Sequence, residues 1–264
     1  MKVACLTHHR LHRYRDIAEA MAKGIAACGD VPIIREITAP MSPGVDCAVA
    51  YGWKRHLTLE RYPRFIYADL GYWHRESHYR FSINGWSPDR YVKAGLSDSR
   101  LSGFGVSVKP WRSSGDEIVI AGSTAKSCAE HGFSYMGWER RVAEALQDCG
   151  KRVVYRPKPK DKNARLMEGF GYDDRPLAEA LKSAWAWVTH HSNSAIDALT
   201  AGVPVHCATG AAAAFSVPMD QIADPPLLEG REQFLADVAW LQWTLDEMRS
   251  GQAWAHMKER GLLC

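Results

Sequence analysis

Short apolar runs alternate with helix-period segments along most of the chain. Val3–Thr7 is an apolar run of strand length. The segment Tyr14–Cys28 then sets Ile17, Met21 and Ile25, with Ala18 and Ala22, at i, i+4 spacing, which predicts a helix with one buried face. Gly29 and Asp30 close it. Val31–Ile37, Cys47–Tyr51 and Arg64–Ala68 follow as strands. Gly, Pro and Asn punctuate Gly71–Gly105, which reads as loops with short elements. The polar stretch 108–116, with Pro110 and Gly115, reads as a linker.

The same grammar restarts beyond it. Glu117–Ala121 is a strand that ends in Gly122-Ser123-Thr124, and Tyr135–Cys149 has the apolar face of a helix. Arg152–Tyr155 is a strand that runs into the basic segment Arg156–Lys160. Leu177–Ser183 predicts a short helix, Ala184–Thr189 a strand, Ser194–Ala201 a helix closed by Gly202, and Val203–His206 a strand. Phe234–Met248 and Gln252–Arg260 read as C-terminal helices, the first with Phe234, Val238, Leu241, Leu245 and Met248 on one stripe. Alternating strands and helices in both halves predict an α/β protein of two Rossmann-like domains with parallel sheets, over 1–115 and 116–264.

Composition narrows the class. The chain has 264 residues, 46% hydrophobic and 24% charged, close to a globular average. No stretch approaches the ~20 apolar residues of a membrane helix, and Met1–Arg10 lacks the apolar core of a signal peptide. Seven scattered cysteines, none in a C-x-x-C pair, suit reduced thiols in a cytoplasmic chain rather than a disulfide frame or zinc ribbon.

Charge is uneven. Residues 1–115 carry 17 Lys and Arg against 10 Asp and Glu; residues 116–264 carry 16 against 20. The basic half holds His8, His9, Arg10 and Arg13 in one cluster, Lys54 and Arg55 in a second, and Arg75 and Arg80 in a third, where Tyr72, Trp73, Tyr79 and Phe81 are interleaved. Basic residues mixed with aromatics suit a polyanion, of which nucleic acid is the commonest large one. A plain solvated basic surface is the alternative.

In open parallel sheets, ligands bind beyond the carboxyl ends of the strands. The residues that follow the strands in the second half are polar, basic and small, as a phosphate site requires. Gly122, Ser123 and Thr124 offer backbone amides. Arg156 and Lys158 offer cations on a segment that Pro157 and Pro159 hold extended. In WVTHHSNSAIDALTAGVPV (187–205), Ser192, Asn193 and Ser194 cap the helix that follows, whose N-terminal amides suit a diphosphate. Asp197, one turn in, is placed for a ribose hydroxyl; plain capping and a dipole-favouring charge are the simpler roles. His190 and His191 are adjacent, so their rings are expected on different sides, and no metal site is expected. The chain has no G-x-S-x-G elbow, Walker A sequence, G-x-G-x-x-G or D-x-D motif.

The strand-basic segment RPKPK (156–160) and the segment HSNSAIDALTAGVPV (191–205) resemble the nucleotide-sugar-binding half of GT-B glycosyltransferases, over roughly residues 117–210. The second segment is also similar to the corresponding part of capsule-type sugar transferases. Asp197 stands where many members carry Glu. With its basic N-terminal half and many tryptophans, the chain looks like bacteriophage glycosyltransferases that decorate hydroxymethylated bases in viral DNA.

The resemblance implies two Rossmann-like domains facing a cleft, the first for the acceptor and the second for the donor. It also implies a last helix that crosses back to the first domain. The donor would be a nucleotide-sugar, a UDP-sugar first, used as a co-substrate with no tightly bound cofactor and no metal. Its phosphates would be neutralised by Arg156, Lys158, His191 and helix amides. The acceptor hydroxyl needs a base: Asp69 is the first choice because it follows a strand, and Glu76 and His9 are rivals. A target base in duplex DNA would be flipped out with help from the aromatic segment 72–86, and His8, Arg10, Arg13, Lys54, Arg55, Arg75 and Arg80 would hold the phosphates.

Three readings follow. The first is a glycosyltransferase acting on hydroxymethylated pyrimidines in double-stranded phage DNA, in the host cytoplasm. The second is the same enzyme acting on a cell-envelope saccharide or small molecule. The third is a non-catalytic nucleotide or nucleic-acid binding protein.

Overall fold

The computed structural model describes residues 1–52, 59–85, 94–159 and 161–263. Within Met1–Pro88 lie β1 (Lys2–Thr7), α1 (His12–Ala27), β2 (Val31–Glu36), β3 (Cys47–Tyr51), β4 (Phe65–Leu70) and β5 (His78–Ile83). Next come α2 (Ser99–Gly103), β6 (Glu117–Ala121), α3 (Ala125–Glu130), α4 (Gly137–Leu146), β7 (Arg152–Arg156), β8 (Gly171–Tyr172), α5 (Leu177–Ser183), β9 (Ala184–Thr189), α6 (Ser194–Thr200), β10 (Val205–Cys207) and α7 (Arg231–Ala239). The chain ends in β11 (Gln242–Thr244), α8 (Leu245–Arg249) and α9 (Gln252–Glu259). It divides into two compact units, Met1–Pro88 with Ala239–Cys264, and Asp89–Val238. No helix among the described residues is long and apolar enough to cross a membrane.

The first unit is a six-stranded mixed sheet in the order β11-β5-β4-β3-β1-β2. Strands β2, β1, β3 and β4 run parallel, and β5 runs antiparallel to both its neighbours, β4 and β11. Strand β3 and residues 65–68 of β4 are continuous apolar runs because both their faces are covered. One face buries Ala4, Leu6, Ala48, Ala50, Phe65 and Tyr67. Helix α1 packs on β1, β2 and β3, and also lies against α8. Gly24 permits that approach: a Cβ there would sit 1.9 Å from the Met248 carbonyl oxygen.

The second unit is a five-stranded, all-parallel sheet in the order β10-β9-β6-β7-β8. Ile118, Ile120, Val153, Tyr155, Ala186 and Val188 form its core with Val142, Ala143 and Leu146 of α4. The predicted α/β class with two Rossmann-like parallel sheets holds, with antiparallel pairing added in the first sheet.

Two expectations are corrected. The stretch 108–116 is not a linker. Its Lys109 and Arg112 amides donate to the carbonyls of Thr200 and Gly202, and the Arg112 guanidinium donates to those of Leu181 and Lys182. It is a strap on the second unit, so the division falls at 88/89 instead of 115/116. The single helix over Phe234–Met248 is a helix, a strand and a second helix: Gln242–Thr244 pairs with β5, and Thr244 and Glu247 close a capping box that starts α8. Residues 239–264 therefore belong to the first unit. Within 71–105, read from the sequence as loops with short elements, those elements are β5 (His78–Ile83), whose ladder β4 supplies, and α2 (Ser99–Gly103).

Candidate active site

In the second unit, the carboxyl ends of β6 and β9 meet. Thr189, the last residue of β9, donates its hydroxyl to the Ala121 carbonyl at 3.0 Å and accepts the Ser192 amide at 3.2 Å. One side chain thus ties the loop after β9 to the end of β6. Gly122 has no space for a side chain, since a Cβ would lie 2.7 Å from the Tyr155 hydroxyl. The Ser123 amide donates to Glu139 Oε1 at 2.8 Å, and Thr124 caps α3 by accepting the Ser127 amide at 3.2 Å. Glu139 is fully buried, and burial pushes its carboxyl above the usual range. The 122–124 loop is therefore set by a buried acid, and the Ser123 amide points inward instead of toward a phosphate.

The turn before α6 behaves similarly. Ser192 Oγ accepts the Ser194 amide at 3.3 Å, the Ser192 carbonyl accepts the Ala195 amide at 3.1 Å, and the Asn193 carbonyl accepts the Ile196 amide at 3.0 Å. The Ser194 hydroxyl accepts from the Trp187 indole at 3.1 Å. These first-turn amides are used within the turn, which leaves fewer for an anion than the sequence pattern implies. Asn193 and Asp197 are half-buried there, and Asp197 sits in the first turn of α6.

Histidines occupy the same end of the sheet. His190 Nδ1 and His191 Nδ1 lie 2.9 Å apart, and Ser127 Oγ lies 2.6 Å from His191 Nε2. His131, the residue that ends α3, stacks on His191 with ring centres 4.3 Å apart and meets His190 edge-on at 4.7 Å. Phe133 and Trp138 wall His190 at 4.8 and 5.4 Å. Burial pushes His190 down to about 4, with His131 contributing, and burial also lowers His131. All three imidazoles offer ring nitrogens within 4.8 Å of one another. The expectation that the 190 and 191 rings diverge is overturned, because the sharp turn after β9 brings them together.

Arg156 is corrected as a phosphate ligand. It is the last residue of β7, and its side chain is 9% exposed. It donates to Asp173 at 3.0 Å and to the Arg175 carbonyl at 2.7 Å. Arg175 continues the network to Asp173 at 2.7 Å and Glu117 at 2.8 Å, and Arg152 joins Glu117 at 2.9 Å. Lys158 is exposed just beyond.

In the first unit, Asp69 lies near the carboxyl end of β4, opposite Arg80 on β5. Its Oδ1 accepts the Leu70 amide at 2.8 Å, and its Oδ2 accepts from the Tyr67 hydroxyl at 3.2 Å and Arg80 at 3.4 Å. Arg80 is corrected as a nucleic-acid contact: its side chain is 9% exposed and lies against the Tyr67 and Tyr72 rings. Tyr72, Trp73, Tyr79 and Phe81 are also buried, so they are core and not a stacking platform. Gln242 holds the turn after β4 by accepting the Tyr72 and Trp73 amides at 2.5 and 3.1 Å.

Arg13 donates to the Tyr51 hydroxyl at 3.3 Å, and Tyr51 meets Tyr14 and Tyr79 edge-on. Burial raises the Tyr51 phenol, and the bond to Tyr51 raises Arg13. His8 stacks on His9, Arg10 donates to His9 Nε2 at 3.1 Å, and His9 lies 3.6 Å from Glu36. Arg75 donates to the Tyr72 carbonyl at 3.1 Å. Glu76 is exposed in the turn before β5. Lys54, Arg55 and Trp86 lie outside the described residues.

Sequence reading missed His131, Ser127, Glu139 and Trp138 as parts of this end of the sheet. His131 has no spacing relation to 190–191, so only the fold joins them. A clue was present in Glu139, an acid on the apolar face of a helix pattern.

No protein-family profile and no curated protein sequence matches the chain. Among solved structures, the Thermosulfurimonas dismutans KpsC beta Kdo 2,7 transferase is similar over 97% of this chain and 100% of that one, with a TM-score of 0.53 and 11% identity. The beta Kdo 2,4 transferase of the same organism's KpsC is similar over 90% of both chains, with a TM-score of 0.51 and 11% identity. At this identity the likeness is one of fold.

Proposed function

We propose that this chain transfers a sugar from a nucleotide-sugar donor to a hydroxyl of a cell-envelope saccharide. The observation that supports the reading is a fold shared with the whole solved chain of a Kdo transferase. The donor belongs with the second unit, where Lys158 and the side chains of the 192–194 turn are the candidate ligands, Arg156 being held by Asp173. Asp69 of the first unit is the proposed base. In the transfer the acceptor oxygen bonds to the anomeric carbon, and that carbon's bond to the phosphate oxygen breaks with its electron pair. The acceptor proton passes to the Asp69 carboxylate.

Duplex DNA loses support as the acceptor because Arg80 and the interleaved aromatics are interior. The test is incubation of the purified chain with activated Kdo and with UDP- and GDP-sugars, against envelope oligosaccharides and hydroxymethylated duplex DNA, read by mass spectrometry. An oligosaccharide heavier by one sugar is expected. A mass gain on the DNA nucleosides would restore the DNA acceptor. Donor binding without transfer or hydrolysis would favour a non-catalytic binding protein.

A further inference from the structure

We propose that His131, His190 and His191 form a binding site for a divalent transition metal, with zinc as the reference ion. Their ring nitrogens lie within 4.8 Å of one another, and one pair is at 2.9 Å. A tetrahedral zinc with Zn–N bonds of ~2.0–2.1 Å holds its nitrogens roughly 3.3 Å apart. The His190–His191 pair is already near that spacing. His131, the C-cap of the short helix α3, closes the rest by a side-chain rotation, its ring nitrogen being within 4.8 Å of the other two.

Three features separate this cluster from a chance meeting of histidines. Ser127 lies 2.6 Å from His191 Nε2. A hydroxyl that accepts from Nε2–H fixes the tautomer that turns the Nδ1 lone pair toward the metal, the usual second partner of a metal-bound imidazole. The ligands come from two loops that are tied together by the Thr189–Ala121 bond, so the site is held by the sheet instead of by one flexible segment. Phe133 and Trp138 wall His190, and an apolar wall strengthens the metal–nitrogen bonds by excluding water. Three imidazoles select zinc, copper, nickel or cobalt over magnesium and calcium, which require oxygen ligands. Three protein ligands also leave a fourth position open to water or an anion. The proposal does not rest on the sugar-transfer reading.

The experiment uses the untagged full chain, stripped with a chelator, and titrates zinc chloride by calorimetry. Cobalt is followed in parallel by its visible spectrum. One equivalent of zinc is expected to bind, with intense tetrahedral cobalt bands and no heat from magnesium. Ser127→Ala should weaken zinc about tenfold, His131→Gln should abolish the one-equivalent step, and His206→Gln should leave it unchanged. X-ray absorption at the zinc edge of the unmodified protein counts imidazole ligands without any variant, and three are expected. An absent one-equivalent step, an undiminished step in a folded His131→Gln, or fewer than three imidazoles at the edge would each overturn the site.

Discussion

Arg156 donates to Asp173 at 3.0 Å, and the Asp173 side chain is 1% exposed. Burial alone would raise the Asp173 carboxyl, but Arg175 and Arg156 outweigh it and hold it below its usual range. Removing one partner of a buried pair strands the other charge and costs about 3–5 kcal/mol. Asp173→Ala is therefore expected to lower unfolding stability by that amount in urea titration. Arg156→Gln should be destabilising too, with donor affinity unchanged once the protein is folded. A variant that keeps its stability and loses donor binding would return Arg156 to the phosphate role.

The residues that misled and those that informed differ in one respect. Strands β3, β6 and β9 and helix α5 were legible because their apolar runs are long enough, and punctuated sharply enough, to be read locally. Strand β11 was not, because Gln242–Thr244 is three residues whose ladder partner, β5, lies more than 150 positions earlier. Arg156 read as a loop cation because Asp173 lies 17 positions away, on the far side of a segment with no periodic pattern. The histidine trio depends on a fold contact across about 60 residues, and the inward turn of Ser123 depends on Glu139. Local pattern gave the scaffold and the end of the sheet where ligands bind; side-chain partners set by the fold decided which residues face that end.

The 108–116 strap explains why residue 202 is a glycine. Its φ is +79°, and a Cβ would lie 2.0 Å from the Pro110 carbonyl oxygen. Gly132 has a φ of +76° with open space around it. Left-handed backbone costs a residue with a Cβ about 1–2 kcal/mol, so Gly132→Ala should lose about that much. Gly202→Ala carries the same strain plus a clash with main chain, and should lose about 3 kcal/mol or more. Equal urea midpoints for the two variants would mean that the 108–116 strap gives way without cost.

Asp30 links the first unit to acid. It accepts from the Met1 ammonium at 2.5 Å, the Trp254 indole at 2.7 Å and Lys258 at 3.0 Å. Burial alone would raise its carboxyl, but these bonds outweigh it and lower it to about 2. A group depressed on folding stabilises fully above its unfolded value near ~4 and loses that contribution as pH falls toward about 2, here about 2 kcal/mol. The stability gap between the wild type and Asp30→Asn should therefore shrink between pH 5 and pH 2. A gap that stays constant with pH would show that the charge contributes nothing and the hydrogen bonds alone matter.

Asp69 carries the chemical part of the proposal, and its surroundings separate two roles. Arg80 is almost fully buried, while the Asp69 side chain is 35% exposed, so the carboxylate keeps a solvent-facing side on which an acceptor hydroxyl can approach. Asp69→Asn keeps an oxygen for the Leu70 amide and loses the proton acceptor. Its amide nitrogen then faces the Arg80 donors in place of Oδ2, and a buried group left without its partner costs roughly 1–3 kcal/mol, so unfolding stability should fall by about that amount while the fold is kept. Transfer should fall by about 100-fold or more, the usual contribution of a positioned base, at unchanged donor affinity. Asp69→Ala removes the oxygen as well and leaves Arg80 facing a gap, so it should lose both stability and transfer. If Asp69→Asn keeps its turnover, the base is elsewhere. Glu76→Gln and His9→Asn are then the variants to compare, and the more informative is Glu76→Gln, because His9 is already engaged with Glu36 and Arg10.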